Sequence, residues 1–210
     1  MRIIEMNSWK RKEHFQFFSG FDEPFFGIVA EIDCTRAIEH ASVNRYSFFA
    51  SYLHKSLLAA NLTEEFRYRI ENNEVVVYDE INASPTIGRS DDTFSFSFVR
   101  FDKNFQAFSS HLSAEITRIQ ATSGLGLNNE HRNDVIHYSS IPWIRFTGIT
   151  HARHFKAVDS IPKISFGKAV SLNGKVTMPV SVNVHHGLMD GLQVSRFLDL
   201  FQDLMNNLIY

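Results

Sequence analysis

Two adjacent histidines, His185 and His186, are followed by an Asp190-Gly191 pair. A histidine can serve as a general base because its imidazole titrates near neutral pH. The alternating run before the pair predicts a strand, in which neighbouring side chains point to opposite faces. The two imidazoles therefore cannot readily bind one metal ion, and the sequence has no Cys/His spacing typical of zinc. The residues alone leave two interpretations open, a catalytic histidine at a strand end or a structural turn.

The composition limits the partners and the compartment that we expect for this chain. Its 210 residues are enough to bury a core, and its formal net charge of -2 gives no attraction for nucleic acid. The one cysteine, Cys34, cannot form an internal disulfide, which suits a reducing compartment. The N-terminus lacks a signal-peptide pattern, and no apolar run approaches the roughly 18 residues of a membrane span. We expect a cytoplasmic protein with one domain over 1–210 and no membrane partner.

Periodic apolar residues predict the elements that must position the histidine pair. The run 93–99 alternates strictly, with phenylalanines on one face and small hydroxyls on the other, so its polar face could line a site. The run 135–149 is strand-like but contains Pro142, which favours an edge or bulged strand. Further strands are predicted over 25–33 and 74–79, and helices over 47–62, 104–120 and 193–210.

A hairpin leads directly into the histidine pair. Residues 162–186 contain two extended runs joined by Asn173-Gly174, a pair typical of a two-residue turn. Strands mixed with helices and hairpins favour an α/β (α+β) fold. We predict a two-layer sandwich in which a mixed, largely antiparallel sheet packs against helices.

Five segments, taken in order, resemble the type A chloramphenicol acetyltransferases over nearly the whole chain. The family pattern around its base is Q-[hydrophobic]-H-H-[SA]-x-x-D-G-[FY]-H. The His-His and Asp-Gly core of that pattern is intact here, whereas Asn183, Gly187, Leu192 and Gln193 depart from it. The segments are "WKRKEHF" (9–15), "SSIPW" (139–143), "FGK" (166–168), "MPVSVNVHHGLMDG" (178–191) and the closing helix "VSRFLDLFQDLMN".

The resemblance implies direct acetyl transfer without an acyl-enzyme. His186 would take the proton from a substrate hydroxyl that attacks the thioester of acetyl-CoA, so Cys34 is expected to be a small buried residue and not a nucleophile. Asp190 would pair with Arg11 and fix the backbone that carries His186. The alternative is an ordinary surface ion pair. Two hydroxyls complete the implied chemistry, with Ser139 donating to the tetrahedral oxyanion and Ser165 holding a water nearby.

The resemblance also implies the binding sites and the assembly. Lys168 would contact the ribose phosphate of coenzyme A, and Trp143 would lie beside the pantetheine channel or form part of the core. Chloramphenicol is the leading small-molecule acceptor, and a homotrimer would place each active site between subunits, without a metal. The implied acceptor pocket has aromatic Phe18, Phe26 and Phe94, but Ile149 and His151 stand where the family prefers phenylalanine and leucine.

Two other hypotheses fit the same fold. One is an acyltransferase for a different alcohol or for a thiol, as in the dihydrolipoyl acyltransferases, although this chain lacks their Asp-His-Arg motif and lipoyl domain. The other is a non-catalytic small-molecule binder, which the presence of His186, Ser139 and Arg11 disfavours. The altered pocket positions indicate a different acceptor, more polar than chloramphenicol, or weaker chloramphenicol binding.

Overall fold

A mixed sheet with helices against one face forms the body of the protein. The computed structural model describes residues 1–127, 131–153 and 159–207. Within these ranges the main sheet has seven strands in the order β2-β10-β8-β7-β5-β6, with β9 pairing β10. Its strands are β2 (Phe25–Asp33), β5 (Asn82–Gly88), β6 (Phe94–Phe96), β7 (Val135–Ser140), β8 (Lys163–Phe166), β9 (Val170–Leu172) and β10 (Lys175–His185).

The pairing is largely antiparallel, as predicted, with parallel pairs only where β7 meets β5 and β8. The predicted fold class is therefore confirmed. The helices are α1 (Lys12–Phe18), α2 (Thr35–Asn44), α3 (Phe48–Leu62), α4 (Phe105–Gln120) and α5 (Gly191–Asn206), with a 3₁₀ turn at Glu64–Arg67.

The two faces of the main sheet differ in chemistry because side chains alternate along each strand. One face of β10 carries Val180, Val182 and Val184, which are fully buried in the core together with residues of α3 and α5. The opposite face carries Ser181, Asn183 and His185. This polar face of the sheet is available for a site.

A smaller sheet holds the N-terminal segment in place. Its strands β1 (Arg2–Ile3), β4 (Glu74–Val77) and β3 (Tyr68–Glu71) pair in that order. A second apolar cluster lies beside this sheet and includes Leu188, which follows the histidine pair. Trp9 and Phe15 pack against the cluster on either side of Arg11. The small sheet thereby anchors Arg11 next to the histidine turn.

The structure corrects two predictions about strands. In the run 93–99 only Phe94–Phe96 forms a strand, and the hydroxyl face is the buried one, with Ser95 1 % and Ser97 4 % exposed. Ser97 donates to the Pro85 carbonyl oxygen, so the serine hydroxyls face the protein interior and do not line a site. In the run 135–149 the strand ends at Ser140, before Pro142, and β7 lies between two strands. It is neither an edge strand nor bulged by the proline.

Other predicted elements agree with the structure. The strand over 25–33 has those bounds, and the predicted turn joins β9 to β10 with left-handed φ values of 52° at Asn173 and 78° at Gly174. Helices α3 and α4 begin after the N-caps Ser47 and Asn104, whose side chains accept from backbone N–H groups. The last predicted helix ends at Asn206, and 208–210 lie outside the described residues.

Candidate active site

His186 lies just after the end of β10, against two aromatic rings. Its imidazole stacks on the Phe18 ring, with 4.0 Å between centroids and 12° between planes, and the Phe26 centroid is 4.5 Å away. The His186 backbone N–H donates to the Pro24 carbonyl oxygen at 2.8 Å. Nδ1 is buried without a hydrogen-bond partner among the described residues, while the side chain as a whole is half-buried. The packing therefore leaves Nε2 as the nitrogen suited to proton transfer.

Arg11 fixes the turn that carries His186. Its Nη1 donates to Asp190 Oδ2 at 2.8 Å, and its Nη2 donates to the His186 carbonyl oxygen at 3.1 Å. Asp190 is also the N-cap of α5, with Oδ1 accepting from the Leu192 N–H at 3.0 Å. Gln193 Oε1 accepts from the Asp190 N–H at 2.9 Å and completes a capping box. One carboxylate thus joins the N-terminal segment, the histidine turn and the last helix.

The Arg11–Asp190 pair is more than a surface contact. The Arg11 side chain is 13 % exposed and the Asp190 side chain is 36 % exposed. Burial raises the pKa of Asp190, but the hydrogen bonds from Arg11 and the Leu192 N–H outweigh it, and the net pKa lies below its ordinary value of 3.8. The surface-pair alternative is therefore not supported by the geometry.

His185 is a structural neighbour, as the alternation of strand side chains predicts. It is 4 % exposed, and its Nδ1 accepts from the Gly187 N–H at 3.1 Å. Its ring meets the Phe25 ring edge-on, with centroids 5.5 Å apart. Burial lowers the pKa of His185 to about 4, so it stays neutral at pH 7. Among the described residues no group of His, Cys, Asp or Glu side chains could hold a metal ion.

Three serines form a row across the polar face of the main sheet. Ser139 on β7 pairs in register with Ser165 on β8, and Ser165 pairs with Ser181 on β10. Ser165 Oγ is buried and has no hydrogen-bond partner within the described part of the chain. Ser139 is half-buried, which leaves its hydroxyl free to meet a ligand. The sheet register thus brings the two predicted site serines together.

The serine row lies far from the histidine of the same chain. His186 follows Ser181 by five residues, which is roughly 16 Å along an extended strand. Two strand spacings separate Ser181 from Ser139, which adds about 10 Å in the perpendicular direction. The backbone of Ser139 and that of His186 are therefore roughly 19 Å apart, beyond what the two side chains can bridge around one reacting carbon.

An open cleft of about 500 Å³ lies on the polar face, over β2 and β10. The predicted pocket residues Ile149 and His151 line it, together with Ser181. Gly27 lies on the cleft floor, where a Cβ would lie 2.6 Å from Asn183 Oδ1, so a larger residue there would displace the Asn183 side chain. The cleft extends from the row that contains His185 to the serine row.

The remaining predicted site residues are surface residues of the single chain. Phe94 is 46 % exposed on β6, and Trp143 is 77 % exposed, so the alternative of Trp143 as a core residue is wrong. Lys168 is exposed, and its backbone N–H donates to the Ile144 carbonyl oxygen at 2.9 Å. That bond brings the loops of Trp143 and Lys168 together. Cys34 is fully buried, and burial raises its pKa to about 12, which agrees with the prediction that it is not a nucleophile.

The family model "Chloramphenicol acetyltransferase" matches residues 1–202. The chain belongs to the chloramphenicol acetyltransferase family. It is similar to the chloramphenicol acetyltransferase of Proteus mirabilis, with 27 % identity over 95 % of this chain and 92 % of that protein. The enzyme of Campylobacter coli is 28 % identical over 97 % of each chain. A solved chloramphenicol acetyltransferase structure superposes with a TM-score of 0.91 at 31 % identity, over 97 % of this chain and 99 % of that one.

Membership of the chloramphenicol acetyltransferase family makes this chain an acyltransferase. The non-catalytic alternative is therefore excluded. The dihydrolipoamide acetyltransferase of Azotobacter vinelandii superposes with a TM-score of 0.68 at 14 % identity, which shows a shared fold alone. No described helix is long and apolar enough to cross a membrane.

Four charged residues beside the cleft form a group that was not predicted from the sequence. Arg153 Nε lies 3.2 Å from Glu23 Oε1, and Arg153 Nη1 lies 3.2 Å from Asp159 Oδ2. Lys163 Nζ donates to the same Asp159 oxygen at 2.5 Å. Each residue in isolation is typical of a solvated loop or strand end, and no spacing marks them as a group. Only the loop after β7 brings Arg153 to Glu23, which precedes β2.

Proposed function

We propose that this chain transfers an acetyl group from acetyl-CoA to a hydroxyl of a small alcohol, with chloramphenicol as the reference acceptor. The observation that carries the proposal is His186, held between a stacked Phe18 ring and a backbone fixed by Arg11. This arrangement limits the rotation of the imidazole without occupying Nε2. An oriented histidine of this kind fits a general base, and family membership supplies the reaction class.

In the proposed step His186 Nε2 takes the proton of the acceptor hydroxyl as its oxygen attacks the thioester carbonyl carbon. The tetrahedral intermediate carries a negative oxygen, to which the Ser139 hydroxyl donates. The carbon–sulfur bond then breaks, and His186 returns the proton to the departing thiolate. The products are the acetyl ester and coenzyme A. Ser165, with its unpartnered buried Oγ, fits a hydroxyl that holds a water beside the intermediate.

The distance between Ser139 and His186 supports an active site shared between subunits. Both groups must lie within hydrogen-bond reach of one tetrahedral centre, yet their backbones are roughly 19 Å apart in one chain. A cyclic homotrimer solves this problem when each subunit supplies His186 to the serine row of its neighbour. The exposed Phe94 and Phe96 give such an interface apolar surface.

Trp143 and Lys168 fit a binding surface for coenzyme A. Trp143 offers an exposed ring to the apolar part of the pantetheine arm, and Lys168 offers a cation to a phosphate. The adjacent loops hold the two groups on one side of the sheet, beyond the ends of β7 and β8. We propose that acetyl-CoA approaches the serine row from this side.

The decisive experiment measures thiol release from acetyl-CoA with chloramphenicol as acceptor, for the wild type and for His186→Ala. We expect saturable turnover in the wild type and a loss of roughly 10²–10⁴-fold in the variant, since the proposed general base is removed. His111→Ala, at an exposed site on α4, is the matched control and should retain full activity.

The possible outcomes test the role of His186 and the identity of the acceptor independently. Equal turnover by His186→Ala and the wild type would overturn His186 as the base. If the wild type binds acetyl-CoA but does not turn over chloramphenicol, then chloramphenicol is not an acceptor and other alcohols take its place. Calorimetric titration with acetyl-CoA tests donor binding in both proteins, and we expect His186→Ala to retain it.

A further inference from the structure

A short connector, residues 19–24, joins the two aromatic rings that contact the His186 imidazole. α1 ends at Phe18, whose ring stacks on the imidazole, and β2 carries Phe26 as its second residue. The last connector residue, Pro24, provides the carbonyl oxygen that accepts from the His186 N–H at 2.8 Å. The position of the connector therefore affects both the ring contacts and the backbone of the proposed base.

Glu23 ties this connector to a distant part of the chain. The Gly20 and Phe21 N–H groups donate back to carbonyl oxygens of α1. Glu23 Oε1 instead accepts from the Phe25 N–H at 3.1 Å and lies 3.2 Å from Arg153 Nε. Since the Glu23 side chain is 43 % exposed, its packing alone does not fix it, and the ion pair with Arg153 supplies the restraint.

Arg153 is itself held on the main sheet. Its side chain is 10 % exposed, and its Nη1 lies 3.2 Å from Asp159 Oδ2, the oxygen to which Lys163 Nζ on β8 donates. The guanidinium carbon lies 3.2 Å from the Phe25 ring centroid in a cation–π contact. Arg153 thus links β8 to both the connector and the first residue of β2.

We infer that Arg153 is a positioning residue for the general base, His186, and acts on it through the connector. This inference rests on the proposed function. Arg11 holds the carbonyl oxygen of His186, and Arg153 holds the segment whose Pro24 carbonyl oxygen accepts from the His186 N–H. The backbone of the base is therefore restrained on both sides. Without Arg153 the connector is free to move, and displacement of a reacting group by about 1 Å can cost about 10²-fold in rate.

Amide hydrogen exchange measures this restraint without any turnover. In Arg153→Met, which retains an apolar stem but loses the guanidinium, we expect the His186 N–H to exchange at least about tenfold faster than in the wild type. The Cys34 N–H, at the far end of the same strand pair, donates to the Val176 carbonyl oxygen at 2.8 Å and should exchange at an unchanged rate. A loss of stability over the whole fold would accelerate both amides, so the comparison separates a positioning role from a merely structural one.

The kinetic test is thiol release from acetyl-CoA with chloramphenicol as acceptor. Arg153→Met should lower kcat by about tenfold and leave KM for acetyl-CoA unchanged, because a misplaced base slows proton transfer while the donor site is intact. Glu23→Gln should lower kcat in the wild-type background but not in the Arg153→Met background, where residue 23 has no guanidinium to pair with. Glutamine retains an oxygen for the Phe25 N–H, so this cycle isolates the contact with Arg153.

Arg145 supplies a matched control in the same loop. Like Arg153 it follows β7 and pairs with a carboxylate, here Glu31 toward the other end of β2, at 3.2 Å. Both of these side chains are exposed, at 47 % and 42 %. Arg145→Met should leave the His186 exchange rate and kcat unchanged.

Three results would overturn the inference. These are wild-type His186 exchange in a folded Arg153→Met variant, equal acceleration of the His186 and Cys34 amides, and unchanged kcat in a variant whose His186 N–H exchanges faster. If Arg153→Met does not fold, Glu23→Gln takes its place with the same amides and the same assay. Failure of the proposed function is distinguishable, because it would abolish wild-type turnover while the exchange rates still decide whether Arg153 restrains His186.

Discussion

The Asp190 carboxylate joins the N-terminal segment of the chain to the start of α5. Its two carboxylate oxygens serve different elements, with Oδ2 accepting from Arg11 and Oδ1 from the Leu192 N–H. Gln193, which departs from the family pattern, accepts a hydrogen bond from the Asp190 backbone N–H. This departure is therefore compensated locally, because Gln193 is the N3 partner in the capping box of α5.

Asp190→Asn should lower the free energy of unfolding at neutral pH by roughly 1–3 kcal/mol, the range between an exposed and a buried ion pair. Asparagine is also a good N-cap, so the substitution removes the charge and retains the helix start. The lowered pKa of Asp190 fixes the pH dependence. Its contribution is complete above the ordinary value of 3.8 and is lost as pH falls through the lower folded value.

Urea unfolding of the wild type and Asp190→Asn between pH 7 and pH 3 measures this difference. The gap between the two proteins should narrow on acidification below about pH 4, where the unfolded wild-type chain takes up the proton first. Asp203→Asn, at an exposed site on the same helix, should follow the wild type throughout. A gap that stays constant over the whole pH range would contradict the role of the Asp190 charge.

The turn between β9 and β10 helps to fix the register of β10, the strand that ends at the histidine pair. β10 is paired along almost its whole length with β2, and its last residue is His185. The two-residue turn sets the register of β9 on β10, with Lys175 opposite Leu172. Since a shift by one residue would exchange the two faces, this register helps to keep Ser181 and Asn183 on the polar face.

Gly174→Val should destabilise the fold by about 1–2 kcal/mol, because the left-handed backbone at φ 78° is unfavourable for a β-branched residue. A Cβ at this position meets no atom within 4 Å, so the cost comes from the backbone and not from a clash. Thermal unfolding measures it. Gly88→Ala, also in open space but without a positive φ, is the control and should not lower the midpoint. An unchanged midpoint in Gly174→Val would refute the turn argument.

The whole molecule presents apolar surface that a single chain does not cover. Phe94 and Phe96 on β6 meet edge-on with centroids 5.5 Å apart, and both lie on the exposed face of the strand. Leu125 and Leu127 are also exposed after α4, and the Phe96 N–H donates to the Leu125 carbonyl oxygen at 2.9 Å. Exposed apolar residues grouped in this way indicate contact with another molecule, which supports the proposed trimer.

Mixing two kinds of inactive subunit tests whether each active site is shared between neighbouring chains. Ser139→Ala and His186→Ala subunits should each be nearly inactive alone, and their co-expressed mixture should regain activity. In a random equal mixture about one quarter of interfaces combine an intact His186 with an intact Ser139, so we expect about a quarter of wild-type turnover. Sedimentation of the wild type should give three times the chain mass of 24.2 kDa.

Two results would contradict the shared site. A mixture that stays inactive, although sequential purification on two different affinity tags shows mixed trimers, would place both groups in one chain. A wild type that is active as a monomer would exclude the trimer. The mixture of two Ser139→Ala preparations carrying different affinity tags is the control, and it should stay inactive.

The sequence by itself predicted several of the main elements and the residues of the proposed site. Strand alternation separated His185 from His186, and helical periodicity located α3, α4 and most of α5. The motif around Asp190 indicated the ion pair with Arg11, although these residues are at opposite ends of the chain. These features depend on local periodicity or on a family pattern, and both are visible in one dimension.

Only the tertiary structure decided which face of each strand is buried and which distant charges meet. Alternation over 93–99 marks two faces but not the inner one, and here Ser95 is buried while Phe94 is exposed. Arg153 in the loop after β7 meets Glu23 just before β2, although the two residues are far apart in the sequence. The roughly 19 Å between Ser139 and His186 likewise follows from strand register alone. Contacts of this kind depend on the three-dimensional pairing of strands, which no local sequence pattern encodes.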